Sequence, residues 1–229
     1  MIEAQHLIAT RKLVDSDREQ EILEDLLESA KPPVAEGAGL HYLLFTAFRY
    51  PPLPHGSRFG SRWEPGIWYG SDALQTAFAE VAYYRFLFLE GTDADLDAIE
   101  TDLSAFRAAV ATARGVDLTA APFEAWRRQL ASKTSYAATQ PLGAAMREAG
   151  VEACRYASAR DAEGGTNTAL FSPRAFAARR PRALQTWHSV TTRASVEFSK
   201  RDYFERRHYR FARNAFLVGG VLPHPAIEA

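Results

Sequence analysis

Between Arg49 and Arg85 the chain brings together three kinds of side chain that can act on one ligand. The cations are Arg49, Arg58 and Arg62, the aromatics include Trp63, Trp68 and Tyr69, and the acid is Glu80. Guanidinium groups pair bidentately with phosphate or carboxylate oxygens. Aromatic faces pack against flat rings. Under forty residues thus carry the groups expected of a site for an anionic ligand with a flat ring. Each group alone has a plainer reading, since an arginine at the end of an element is usually a solvated charge and a helix glutamate usually a surface group. It is the grouping that points to chemistry.

The elements that must position these groups follow from local pattern. Residues 40–48, LHYLLFTAF, have the length and aromatic content of a buried strand, with Arg49 at its end. Residues 51–66 contain four prolines and three glycines, which predicts an ordered, irregular loop carrying Arg58, Arg62 and Trp63. Ile67-Trp68-Tyr69 reads as a short strand. Ser71-Asp72 then caps a helix, with Asp72 and Gln75 spaced as a capping box. In that helix Leu74, Ala77, Phe78, Val81, Arg85 and Phe88 fall on one face. Glu80 lies about 110° from the centre of that stripe at roughly 100° per residue, on the border between core and solvent.

Upstream, residues 13–29 read as a helix with Ile22, Leu23, Leu26 and Leu27 in one stripe, stopped by Lys31-Pro32-Pro33. It would serve as an accessory helix packed on the domain or as a docking helix for a partner. Residues 93–149 read mainly as helices, one starting at Ala121-Pro122 and one running from Thr139-Gln140-Pro141 to Gly150. Strands are expected at Val151–Ala157, Asn167–Phe171, Arg182–Thr192 and Ser195–Ser199. The basic, aromatic segment from Lys200 to Leu217 reads as a solvated or partner-facing surface, because acidic residues interrupt it.

Composition narrows the classes. The chain has 229 residues and a formal charge of −1, so it has no general attraction for nucleic acid or membrane surfaces. Nearly half the residues are apolar, enough for a full core. The single cysteine, Cys154, excludes a disulfide framework and a multi-cysteine metal site, and a reducing cytoplasm is the expected compartment. No phosphate-binding glycine loop, dinucleotide fingerprint, H-E-x-x-H or G-x-S-x-G occurs, and no metal site is expected. No run approaches membrane-spanning length. The expected division is a helical extension at 1–40 and one catalytic domain at 41–229.

At Arg49, the Gly56-Ser57-Arg58-Phe59-Gly60-Ser61-Arg62-Trp63 loop, Tyr69 and Glu80, the sequence resembles the RES domain family. A second segment carries the resemblance: Gly150-Val151-Glu152 through Tyr156-Ala157-Ser158-Ala159-Arg160, then Gly164, Asn167, Leu170 and Phe171. The eleven-residue step from Tyr69 to Glu80 is part of it, and Arg58 lies eleven residues before Tyr69. The loop leaves both Arg58 and Arg62 as the arginine that enters the site. The resemblance implies an α+β fold like that of the ADP-ribosyltransferases, with a split, mostly antiparallel sheet and surrounding helices. It implies an enzyme using NAD+ as substrate, the toxin of a toxin–antitoxin pair, restrained by a small Xre-like helix-turn-helix antitoxin. The reaction would be hydrolysis or phosphorolysis of the nicotinamide bond. The alternatives are transfer of ADP-ribose to a cytoplasmic protein, such as phosphoribosyl pyrophosphate synthetase, and a non-catalytic partner-binding module. By the same resemblance Arg49 binds the pyrophosphate, Tyr69 stacks on nicotinamide, Glu80 stabilises the sugar cation, and Ser158 adds a polar contact.

Overall fold

A computed structural model describes residues 2–3, 13–16, 18–19, 22–23, 26–27, 39–50, 55–94 and 96–225. The elements that matter here are β1 (Ile2–Glu3), α1 (Tyr42–Arg49), β2 (Trp68–Ser71), α2 (Leu74–Glu90), β3 (Ile99–Arg107), β4 (Gly115–Asp117), α3 (Arg127–Leu130), α4 (Thr139–Glu148), β5 (Ala153–Ala157), β6 (Thr166–Leu170), β7 (Arg182–Thr191), β8 (Ser195–Lys200) and β9 (His208–Ala212). They form two sheets. The larger has the order β1-β3-β7-β8-β9 and its pairs are antiparallel. The smaller has the order β2-β6-β5-β4, antiparallel except for the parallel pair β4 and β5. This is the mixed α+β architecture with a split, mostly antiparallel sheet. Among the described residues no helix is long and apolar enough to cross a membrane.

Helix α2 joins the sheets. Its Phe78, Ala79, Ala82, Tyr83 and Phe86 enter one core with Leu103, Ala105, Trp187, Val196, Phe198 and Phe211 of the larger sheet. Phe78 is stacked on Phe198 with ring centres 4.3 Å apart and meets Trp187 edge-on at 4.8 Å. Burial on that scale fixes the helix axis, since removing one such ring costs about 3–5 kcal/mol. The buried set differs from the predicted stripe: Phe88 is exposed and Arg85 only partly buried. The sequence LQTAFAEVAYYRFLFLE is apolar nearly all round, so several stripes compete and the sheet selects one.

Three other expectations are corrected. Residues 42–49 form a helix, not a strand. The run holds no valine or isoleucine, and its outward positions Tyr42, Thr46 and Tyr50 recur every four residues. The stretch 93–149 is not mainly helical. It contains the nine-residue strand β3, in which buried Leu103 and Ala105 alternate with Asp102 and Ser104. The Asp72–Gln75 capping box does not form. Ala73 is the N-cap without a side-chain bond, and Asp72 instead accepts from Arg155 at 2.7 Å. Of the helix read at 13–29, Arg18, Glu19, Ile22, Leu23, Leu26 and Leu27 are helical and the rest lies outside the described residues.

The smaller sheet has two dressed faces. On one, Trp68 and Phe176 pack with Phe48 of α1. On the other, Tyr69, Cys154, Tyr156 and Ala169 pack with Phe59, Leu130 and Met146. Strand alternation puts Trp68 and Tyr69 on opposite faces, which decides what reaches the site.

Candidate active site

Glu80 sits on the partly buried side of α2, and two donors converge on one of its oxygens. Ser158 Oγ donates to Oε1 at 2.7 Å and Asn167 Nδ2 donates to the same atom at 2.6 Å. Both donors are themselves oriented. Ser158 Oγ accepts from the backbone N–H groups of Arg160 and Asp161 at 3.1 and 3.0 Å, so its own proton is left for Glu80. Asn167 Oδ1 accepts from Ser71 Oγ at 2.6 Å, which turns the amide nitrogen toward Glu80. Oε2 accepts no hydrogen bond from the described residues. One carboxylate oxygen is thus doubly anchored.

The loop bearing Ser158 is built for this. Asp161 is buried, takes a bond from Thr76 of α2 at 2.8 Å and caps the amide of Glu163 at 3.0 Å. Gly165 lies so close to this pair that a Cβ there would stand 2.0 Å from Thr76 Oγ1 and 2.4 Å from Asp161 Oδ2. Only glycine lets the turn into β6 approach α2 this closely.

Tyr69 stands on the same face of the smaller sheet as Tyr156, their rings meeting edge-on at 6.5 Å. The Tyr69 hydroxyl bonds Ser57 Oγ at 2.9 Å and accepts from the Phe59 amide at 3.2 Å. It therefore grips the loop on both sides of Arg58. That arginine is 7% exposed. It donates to the carbonyls of Leu130 at 3.0 Å and Ser132 at 3.1 Å and lies over the rings of Tyr136 and Tyr156 at 5.0 and 6.0 Å.

Burial raises the Tyr69 hydroxyl well above the ordinary phenol range, against the opposing pull of its bonds to Ser57 and Phe59. Tyr156 is also raised, by burial first and by the charge of Glu80 second. Tyr83 is pushed up to about 12 by burial, with the Arg160 cation acting in the other direction. The tyrosines around Glu80 thus stay neutral in neutral solution and act as surfaces and hydrogen-bonding groups.

The structure separates the predicted arginines. Arg58 is the one brought to Tyr69 and Tyr156, while Arg62 is exposed and its guanidinium lies over the exposed Trp63 ring at 4.0 Å. Arg49 ends α1, the helix that covers the Trp68 face, and its guanidinium lies over Phe45 at 5.0 Å. Cys154 is buried beneath Tyr69 and its thiol is pushed up to about 12 by burial, which fits a core residue and not a nucleophile. A cavity of about 620 Å³ opens between the sheets on the Trp68 side, lined by Gly70, Asp72, Leu74, Ala77 and Arg107 among others. Glu80 and Arg58 do not line it, whereas Tyr69 and Ser71 do, so this opening borders the candidate site along β2. Among the described residues no group of histidine, cysteine, aspartate or glutamate has the arrangement of a metal site.

The profile of the RES domain family matches residues 33–192, more than half of the chain. This chain belongs to the RES domain family. The family is associated with NAD-utilising enzymes, and the RES match spans Arg58, Tyr69, Glu80, Ser158 and Asn167 alike. No curated protein matches the chain. Sequence reasoning named Ser158 but did not anticipate the contacts of Ser71, Tyr136, Tyr156, Arg160 and Asn167 around the candidate site. The available signal was the resemblance segment itself, which contains Tyr156, Arg160 and Asn167 without giving them roles.

Proposed function

We propose that this RES domain protein consumes NAD+ by breaking the bond between nicotinamide and the adjoining ribose. The observation that carries this reading is the Glu80 carboxylate, with Oε1 held by two oriented donors, Ser158 and Asn167. When the glycosidic bond breaks, its electron pair moves to the nicotinamide nitrogen and neutralises the pyridinium. The sugar carbon is left as an oxocarbenium ion. A fixed carboxylate oxygen beside that carbon stabilises the charge as it develops, a contribution made in the transition state more than in the bound substrate. The Tyr69 and Tyr156 rings supply the wall for the flat base, and Arg58 supplies positive charge for the diphosphate. The acceptor then adds at the sugar carbon and gives up its proton. Water yields ADP-ribose, phosphate yields its phosphorylated form, and a protein side chain yields an ADP-ribosylated protein.

Adenine-labelled NAD+ incubated with the purified protein tests the reading and sorts the acceptors. Label in free ADP-ribose means hydrolysis, label in a phosphate adduct formed only with added phosphate means phosphorolysis, and label precipitating with protein means transfer. Unconsumed NAD+ under all three conditions would remove the reading.

Loss of NAD+ harms the cell that makes the enzyme, so the proposal extends to a toxin held by a small Xre-like helix-turn-helix antitoxin. The cationic site suits a blocking segment that carries a carboxylate. Calorimetry of that complex with and without a saturating NAD+ analogue tests occlusion, and unchanged affinity would exclude it.

A further inference from the structure

Two buried arginines grip one short piece of main chain. Arg58, from the loop before β2, holds the carbonyls of Leu130 and Ser132. Arg160, from the loop after β5, donates Nη2 to the carbonyl of Lys133 at 3.2 Å. The Tyr136 ring closes under Arg58. Segment 130–136 is thus pinned across the site by side chains separated by about a hundred residues of chain. On its other side Lys133 Nζ ties it to the Ala215 carbonyl at 3.2 Å.

Carbonyl oxygens carry only partial charge and satisfy these cations incompletely. Arg160 is 3% exposed, and its Nη1 is fully buried without a hydrogen-bond partner. The Tyr83 ring, 3.5 Å from the guanidinium carbon, meets the face of the group and leaves that edge donor unmet. The nearby carboxylate does not compensate, because Glu80 takes its bonds from Ser158 and Asn167. A buried donor without an acceptor costs free energy. The two carboxylates of the region, Glu80 and Asp161, are both committed elsewhere, Asp161 to Thr76 and the Glu163 amide, so neither meets Arg160 Nη1.

We infer that Arg58 and Arg160 together form a diphosphate subsite, and that segment 130–136 is a strap whose carbonyls exchange with phosphate oxygens there. The inference rests on the NAD+ reading for its ligand, a dinucleotide diphosphate. When the diphosphate enters, the strap lifts from both guanidinium groups, and Arg160 Nη1 gains the acceptor it lacks. The bonds formed are charge-assisted and stronger than those they replace.

Titration calorimetry with inorganic pyrophosphate, ADP-ribose and nicotinamide riboside tests this on the native protein, Arg160→Gln, Arg160→Lys and Lys133→Ala. Arg160→Gln is expected to weaken pyrophosphate and ADP-ribose about tenfold or more, the scale of one charge-assisted hydrogen bond. Binding of nicotinamide riboside, which has no diphosphate, stays as in the native protein. Arg160→Lys keeps the charge but loses the fork, and falls between. Lys133→Ala frees the outer tether of the strap and tightens pyrophosphate binding. Hydrogen exchange at amides 130–136 is expected to speed up when pyrophosphate binds. Pyrophosphate affinity indifferent to both Arg160 variants, no pyrophosphate binding at all, or exchange in the strap unchanged on binding would each overturn the inference. A protein that releases nicotinamide while behaving so keeps its proposed activity and loses only this subsite. One that binds pyrophosphate through Arg160 and opens the strap, yet leaves NAD+ intact, keeps the subsite and loses the activity.

Discussion

Ser158 Oγ donates to Glu80 Oε1 across 2.7 Å, and the two backbone amides that Oγ accepts leave its proton no other direction. Replacing Ser158 with alanine removes the donor and strands the amides of Arg160 and Asp161 in a buried place. Stability is expected to fall by about 1–3 kcal/mol, and turnover to fall with it as Glu80 loses one of its two anchors. Denaturant melts beside NAD+ turnover check this. Native stability in the variant would show that the hydroxyl is not buried against those amides.

Tyr69 holds the Arg58 loop by its hydroxyl. Tyr69→Phe keeps the ring and removes the grip on Ser57 and Phe59. The expected stability loss is about 1 kcal/mol. The larger effect falls on affinity for diphosphate ligands, since Arg58 is no longer fixed. An ADP-ribose affinity equal to the native value would show that Arg58 is held by its carbonyl bonds alone.

Gly143 of α4 lets that helix lie against the same loop. A Cβ at this position would stand 1.9 Å from the Phe59 carbonyl oxygen. Gly143→Ala must push the loop or the helix aside, despite alanine's better helix propensity. The variant is expected to be destabilised by about 1–3 kcal/mol, the scale of overpacking, with Arg58-dependent binding weakened. A melting temperature at or above native would contradict this close approach.

Much of this arrangement was legible in the chain, and the gaps have physical causes. Tyr69, Glu80 and Ser158 stood out because their residue types and order match a family pattern, and β5 to β8 were read as strands, whereas β9 lies in the basic segment read as a solvated surface. Helix α1 was read as a strand because aromatic residues favour both pleated and packed surfaces, and only its four-residue outward period marks the helix. Strand β3 was missed because its alternation is short and its inward residues, Leu103 and Ala105, are also common in helices. Choosing Arg58 over Arg62 needed the tertiary structure: both lie in one loop, and only burial against Tyr136 and Tyr156 tells them apart. Arg160 was part of the Tyr156–Arg160 segment that carries the resemblance, but its contact was not legible, since its carbonyl partner lies nearly thirty residues earlier.

Stability should fall in alkali. Burial raises Cys154 from about 9 to about 12 and Tyr83 from about 10 to about 12. Below about pH 9 both are neutral in the folded and unfolded chain, and their contribution is fully present. Between pH 9 and 12 the unfolded chain releases these protons first, so that contribution is lost as pH rises toward the folded values. Melting temperatures followed from pH 8 to 12 should decline, with a shallower decline for Cys154→Ala. A flat profile would show that these groups are solvated in the folded protein.

Nicotinamide release from NAD+, measured by chromatography with native protein and with Glu80→Gln, goes most directly to the role of Glu80. The glutamine keeps an oxygen to accept from Ser158 and Asn167, so stability should stay within about 1 kcal/mol of native. Without the negative charge beside the developing sugar cation, release should fall about a hundredfold or more. Release by the folded variant at close to the native rate, or none by the native protein, would contradict the assignment of Glu80 as the group that stabilises bond cleavage.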